Sequence, residues 1–119
     1  MAKIFILEDN DERIAQFRKN FRNADLTIAK ESKKAIKILR KENPFDYIFL
    51  DHDLGGLEMV ESDGGTGYEV AQWLAKNALK KPKFALYVHS LNFPGATNII
   101  SELGYGSHIP FVWTKLISF

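Results

Sequence analysis

With 119 residues the chain is the size of one compact domain, and 45% hydrophobic residues, including nine Phe and two Trp, can fill its core. A balance of 16 basic against 15 acidic side chains leaves a net charge of +1, which excludes broad electrostatic attraction to nucleic acid or to a membrane surface. The absence of Cys excludes disulfides, thiolate nucleophiles and Cys-based zinc sites.

The N-terminus, Met1-Ala2-Lys3, enters an apolar segment without a signal-peptide core, and no apolar run approaches the ~20 residues that span a bilayer. These features predict a soluble, cytoplasmic protein with no membrane partner. Lys3 to Leu7 is a continuous apolar run, the mark of a strand covered on both faces. It stops at Glu8-Asp9-Asn10-Asp11, where Asn10 or Asp11 can cap a helix. Ile14, Phe17 and Phe21 then recur at helical spacing, with Arg13, Arg18 and Lys19 turned outward. Leu26 to Ala29 predicts a second, edge strand. Ser32 is placed to cap a second helix that buries Ala35, Ile36 and Leu39 and ends at Asn43-Pro44.

Phe45 to Leu50 predicts the third strand, and Asp51-His52-Asp53 follows it directly. A Gly-rich, acidic loop from Gly55 to Gly65, carrying Glu58, Glu61 and Asp63, leads to a third helix. Thr66-Gly67-Tyr68-Glu69 has the form of a capping box for that helix, and Val70, Ala71, Leu74 and Ala78 form its core face. Phe84 to Val88 predicts the fourth strand, ending at His89-Ser90. Asn92 and Pro94 begin a fourth helix that buries Ile99, Ile100 and Leu103 and stops at Gly104. Ile109 to Trp113 is the last apolar stretch and the expected fifth strand.

Strands alternating with helices imply a parallel sheet with right-handed crossovers, whose ligands collect beyond the carboxyl ends of the strands. In the strand order 2-1-3-4-5, the first and third strands are neighbours about 4.8 Å apart. Asp9 on one and Asp51 and Asp53 on the other can therefore converge. Oxygen ligands with open positions suit Mg²⁺ or Mn²⁺, which recruits a phosphate. The competing explanation is that Asp9, Asn10 and Asp11 only cap the first helix.

Glu8-Asp9, then Asp51 after Phe45-Asp46-Tyr47-Ile48-Phe49-Leu50, then Ser90 after the fourth strand, resemble the receiver domain of response regulators over nearly the whole chain. The resemblance implies a flavodoxin-like three-layer sandwich, a single receiver-like domain over residues 1–119. It implies Glu8, Asp9 and Asp51 as metal ligands completed by the backbone carbonyl of Asp53, Asp51 as phosphoacceptor, and Ser90 as the hydroxyl that contacts the phosphate. Three departures stand out: Ile109-Pro110-Phe111 replaces the Lys-Pro of receivers unless Lys115 reaches back, the last helix is short or absent, and the loop after Asp53 is expanded with His52 and His89 added. Phe84, Val112 or Trp113 would then be partly uncovered, and a homodimer through that face is expected.

Asp51-His52-Asp53-Leu54-Gly55-Gly56, Thr66-Gly67-Tyr68-Glu69-Val70 and His89-Ser90-Leu91-Asn92 resemble a narrower branch, the cyclic-phosphate-processing receivers. That resemblance implies phosphoester chemistry on a cyclic phosphate, on a small molecule or at an RNA end. His52 and His89 can exchange protons near neutral pH, and water or the Asp51 carboxylate can attack phosphorus while His89 protonates the leaving oxygen. Thr66, Ser90 and Asn92 are the candidate phosphate contacts. The structural alternatives are a His89 bonded to a neighbouring carbonyl and a His52 turned to the opposite face. His108 is expected to be surface or structural. Two rival functions remain open: a single-domain response regulator phosphorylated on Asp51 by a kinase in a phosphorelay, and a non-catalytic binding module. An Asp-x-Asp phosphatase pair belongs to the first strand of its own fold, and an EF-hand fails at Gly55 and Ser62. The lysines of the second helix, Lys33, Lys34, Lys37 and Lys41, with Arg40, are expected to form a solvated face.

Overall fold

The computed structural model describes residues 1–42, 44–54, 65–77 and 84–119. Asn43, the acidic loop with Glu58, Glu61 and Asp63, and Ala78 lie outside the described residues. The elements run β1 (Lys3–Leu7), α1 (Asp11–Asn20), β2 (Asp25–Ala29), α2 (Ser32–Glu42), β3 (Tyr47–Leu50), α3 (Gly67–Asn77), β4 (Ala85–Val88), α4 (Phe93–Leu103) and β5 (Ser107–His108). A 3₁₀ helix, Phe111–Leu116, follows. All strands are parallel in the order β2-β1-β3-β4-β5, the flavodoxin-like arrangement expected.

Side-chain alternation in the strands splits the core into two layers. Phe5, Leu7, Ile48, Leu50, Leu86 and Val88 face α2, α3 and α4. Ile4, Ile6 and Phe49 face α1, where Phe17 and Phe21 meet them. Asn10 caps α1 by accepting from the Arg13 N–H, and Asn92 caps α4 by accepting from the Gly95 N–H. Gly104 ends α4 at φ +80°, a conformation glycine adopts without strain.

Four local expectations are corrected. Ser32 does not cap α2: Glu31 supplies the capping carbonyl to Ala35, and the Ser32 hydroxyl donates instead to the Glu69 carboxylate on α3. The ionised carboxylate is the stronger acceptor. At the head of α3, Thr66 Oγ1 accepts from the Tyr68 N–H, and Glu69 accepts from the Gly65 N–H rather than closing the expected reciprocal box. Phe84 is buried rather than uncovered, with the Tyr105 ring 5.9 Å away and the Tyr105 hydroxyl donating to the Phe84 carbonyl.

The fifth strand lies earlier than the apolar pattern indicates. Ser107–His108 pairs with β4, and the ladder closes where the Ile109 N–H donates to the Val88 carbonyl. Pro110 has no N–H with which to continue, so Phe111 onward winds into the 3₁₀ turn. The residues that follow β5 still cover the sheet. Phe111, Ile117 and Phe119 pack on the α1 side, the Phe119 ring 4.7 Å from both Phe21 and Tyr47. Val112 and Trp113 are exposed as expected, joined by Leu116. Phe119→Ala should lower stability by about 2 kcal/mol in urea unfolding; an unchanged midpoint would show that these last residues are not part of the core.

Candidate functional site

The site follows from the register of three adjacent strands. Leu7 pairs with Leu50, and Leu50 with Val88. The residues that immediately follow these three strands are Glu8, Asp51 and His89. The ladder continues through these residues: the Asp51 N–H donates to the Leu7 carbonyl and the His89 N–H to the Leu50 carbonyl, both at 3.1 Å. Leu7, Leu50 and Val88 face α2–α4, so the next residue on each strand turns to the α1 side. Glu8, Asp51 and His89 therefore meet in one buried group, one ligating atom from each lying within 4.8 Å of the others.

Electrostatics there are governed by burial. Burial is the main influence on Asp51 and pushes its carboxyl up to about 6; the charges of Glu8 and Asp53 add to this, while His89 and Arg13 oppose it. Burial also raises Glu8, but the hydrogen bond and charge of His89, the Asn10 N–H and Arg13 outweigh it and hold that carboxyl below its ordinary value. His89 Nε2 lies 3.0 Å from Glu8 Oε1, and Glu8 Oε2 accepts from the N–H groups of Asp9 and Asn10, each at 3.0 Å. His89 Nδ1 is buried with no hydrogen-bond partner among the described residues. Two close carboxylates and one imidazole are a donor set that fits a divalent cation.

The next residue along β3 turns the other way. His52 is fully buried, with its ring against Gly95 at the head of α4, where an added Cβ would come within 2.4 Å of Cγ. Its Nδ1 donates to Asp53 Oδ1 at 2.8 Å, and Asn92 Nδ2 donates to the same oxygen at 3.0 Å. Gly67 approaches still more closely from α3, since a Cβ there would lie 1.9 Å from the Asp51 carbonyl oxygen. Thr66, buried beside it, caps α3. Ser90 is buried, and its Oγ accepts from the Asn92 N–H at 3.0 Å.

A family model described as the cyclic-phosphate processing receiver domain matches residues 4–104. The chain belongs to that family. The fold of this receiver domain is similar to the signal receiver domain of a putative Luxo repressor protein from Vibrio parahaemolyticus, at 16% identity and TM-score 0.69 over 92% of this chain and 77% of that one. It is also similar to the phosphorylated cyanobacterial phytochrome response regulator RcpA, at 21% identity and TM-score 0.70 over 92% and 79%. The Mn(2+)-bound form of response regulator Rcp1 aligns at 18% identity and TM-score 0.67 over 92% and 81%. No curated protein is significantly similar to the chain.

Of the residues expected at the site, the sheet brings together Glu8, Asp51 and His89. Asp9, half-buried on the following residue, and Asp53, turned toward His52 and Asn92, are not members of that group. Lys115 lies beside Asn20 and Asn23, past the C-terminal end of α1 and at the opposite end of the sheet from Asp51. His108 is structural, its Nε2 against the Ser90 carbonyl and its ring edge-on to Phe93. Sequence reasoning missed Arg13, expected to point outward. Its Nη1 is 3.7 Å from Glu8 Oε1.

The folded Asp51 carboxyl titrates near 6 against an ordinary value of 3.8, so folding favours its protonated form. In metal-free protein this contribution is complete below the ordinary value and is lost as pH rises through about 6. Asp51→Asn should therefore stabilise metal-free protein at neutral pH by on the order of 2–3 kcal/mol. Thermal unfolding against pH reads both effects, and a variant no more stable than the parent at neutral pH contradicts this account of Asp51.

Proposed function

We propose that this receiver domain, working as one unit over residues 1–119, binds Mg²⁺ or Mn²⁺ and carries out phosphoester chemistry on a cyclic phosphate, on a nucleotide or at an RNA end. The observation that supports this most directly is the buried group of Glu8, Asp51 and His89 at three adjacent strand ends. In this reading Glu8 and Asp51 hold the cation, with Asp9 and the Asp53 backbone carbonyl as further ligands. Bound there, the cation supplies a Lewis acid that neutralises charge on the phosphate oxygens.

The chain's own groups supply the proton movements. Opening a cyclic phosphate by water forms one P–O bond, breaks one P–O ester bond, and moves a proton from the water to the leaving oxygen. Asp51, deprotonated above about pH 6, can take the proton of the attacking water or attack phosphorus itself. His89 would pass its proton to the leaving oxygen from the ring nitrogen that Glu8 does not hold, while Glu8 Oε1, 3.0 Å from Nε2, orients the ring. Ser90 Oγ receives the Asn92 N–H, which leaves its own hydrogen to donate to a phosphate oxygen. Asn92 and His52, through Asp53, fix the loop that carries these groups, and Thr66 fixes the start of α3.

A second reading has a kinase partner placing a phosphoryl group on Asp51 within a phosphorelay. The place of Asp51 at the carboxyl end of β3, in a fold shared with a phosphorylated regulator, favours it. The hydrolytic reading is preferred because His89 stands within the carboxylate group while Lys115 lies at the far end of the sheet.

With Mg²⁺ and a 2′,3′-cyclic nucleotide, the protein should release a phosphomonoester, and Asp51→Asn or His89→Ala should slow release by about 100-fold or more. One added phosphoryl group after treatment with a small acyl-phosphate donor, without hydrolysis, favours the phosphorelay. Neither outcome leaves a binding module. Exposed Val112, Trp113 and Leu116 support a homodimer through that face. Light scattering should give twice the chain mass at high concentration, and a monomer throughout removes that partner.

A further inference from the structure

One cation beside the carboxylates is unexplained by the helix that carries it. Arg13 is the third residue of α1, where the helix dipole favours the neighbouring acids Asp11 and Glu12 and disfavours a positive charge. Its guanidinium is nevertheless drawn to the site. Nη1 is 3.7 Å from Glu8 Oε1, and Cζ is 5.1 Å from the centre of the Phe111 ring. At 3.7 Å the pair with Glu8 is an ion pair without hydrogen-bond geometry. The charge of the guanidinium is held over the Phe111 ring, an attraction to the π face that requires no N–H hydrogen bond. The Arg13 side chain is 28% exposed where that of Glu8 is 1%, so the guanidinium sits at the solvent edge of a buried acidic group. Its charge acts on both Asp51 and Glu8.

We infer that Arg13 is the cationic contact for the substrate phosphate, presented at the mouth of the Glu8–Asp51–His89 group by the ring of Phe111. This rests on the phosphoester reading above. The planar fork of a guanidinium suits two oxygens of a tetrahedral phosphate, a match that an ammonium group lacks. The assignment carries an unusual signature. A guanidinium near Glu8 repels a divalent cation and attracts a phosphate, so its removal must move the two affinities in opposite directions. A merely structural role would weaken both together.

Titration calorimetry on the full chain, with Mg²⁺ alone and then with inorganic phosphate at saturating Mg²⁺, reads the two separately. Arg13→Gln should bind Mg²⁺ about three- to tenfold more tightly and phosphate about tenfold more weakly or worse. Arg13→Lys should return the Mg²⁺ affinity toward that of the parent and recover part of the phosphate affinity. Arg13→Gln binding phosphate within twofold of the parent, or losing both ligands in proportion, overturns the assignment while leaving the phosphoester reading intact. A parent protein that binds neither Mg²⁺ nor phosphate overturns both.

Discussion

Two carboxylates at adjacent strand ends, both largely withdrawn from water, set the constraint that the surrounding structure answers. Glu8 is fully buried and Asp51 nearly so, and burying a charge is costly unless it is paired and hydrogen-bonded. Glu8 receives donors on both oxygens: His89 and Arg13 approach one, and two backbone N–H groups the other. Asp51 is compensated less fully, and its carboxyl consequently holds its proton more tightly. The asymmetry gives two neighbouring acids different protonation behaviour, which is what separates acid and base roles in a shared site.

The opposite side of β3 keeps that arrangement rigid. His52, Asp53 and Asn92 tie the end of β3 to the head of α4, while Gly67 lets α3 approach the Asp51 backbone closely. The polar residues at this end of the sheet thus divide into two groups by the face they take. One faces α1 and forms the buried acidic group. The other holds helix starts at the distance the first group needs, and its polar atoms are engaged within the protein.

The end of the chain serves the same geometry. Phe111 leaves β5 at Pro110 and lies against both Phe17 and the Arg13 guanidinium, while Phe119 closes over Phe21 and Tyr47. A short 3₁₀ turn with aromatic contacts thereby covers the α1 side of the sheet, and the ring nearest the site also bears a cation. No helix among the described residues is long and apolar enough to cross a membrane.

Much of this was legible in residue order alone. The apolar run Lys3–Leu7, the caps at Asn10 and Asn92, and Gly104 are local signals, so the elements and the parallel order could be foreseen. The motif Asp51-His52-Asp53 also marked the end of the sheet where Glu8, Asp51 and His89 meet. What residue order could not decide was which neighbouring residue meets which. Glu8 rather than Asp9 faces Asp51 because Leu7 pairs with Leu50, and register is a property of two strands at once. Arg13 turns inward because Glu8 and Phe111, distant from each other along the chain, supply charge and ring at one point. Local chemistry determined where the elements begin and end, whereas tertiary packing decided which polar groups share a buried volume, since only there does the cost of burial select their partners.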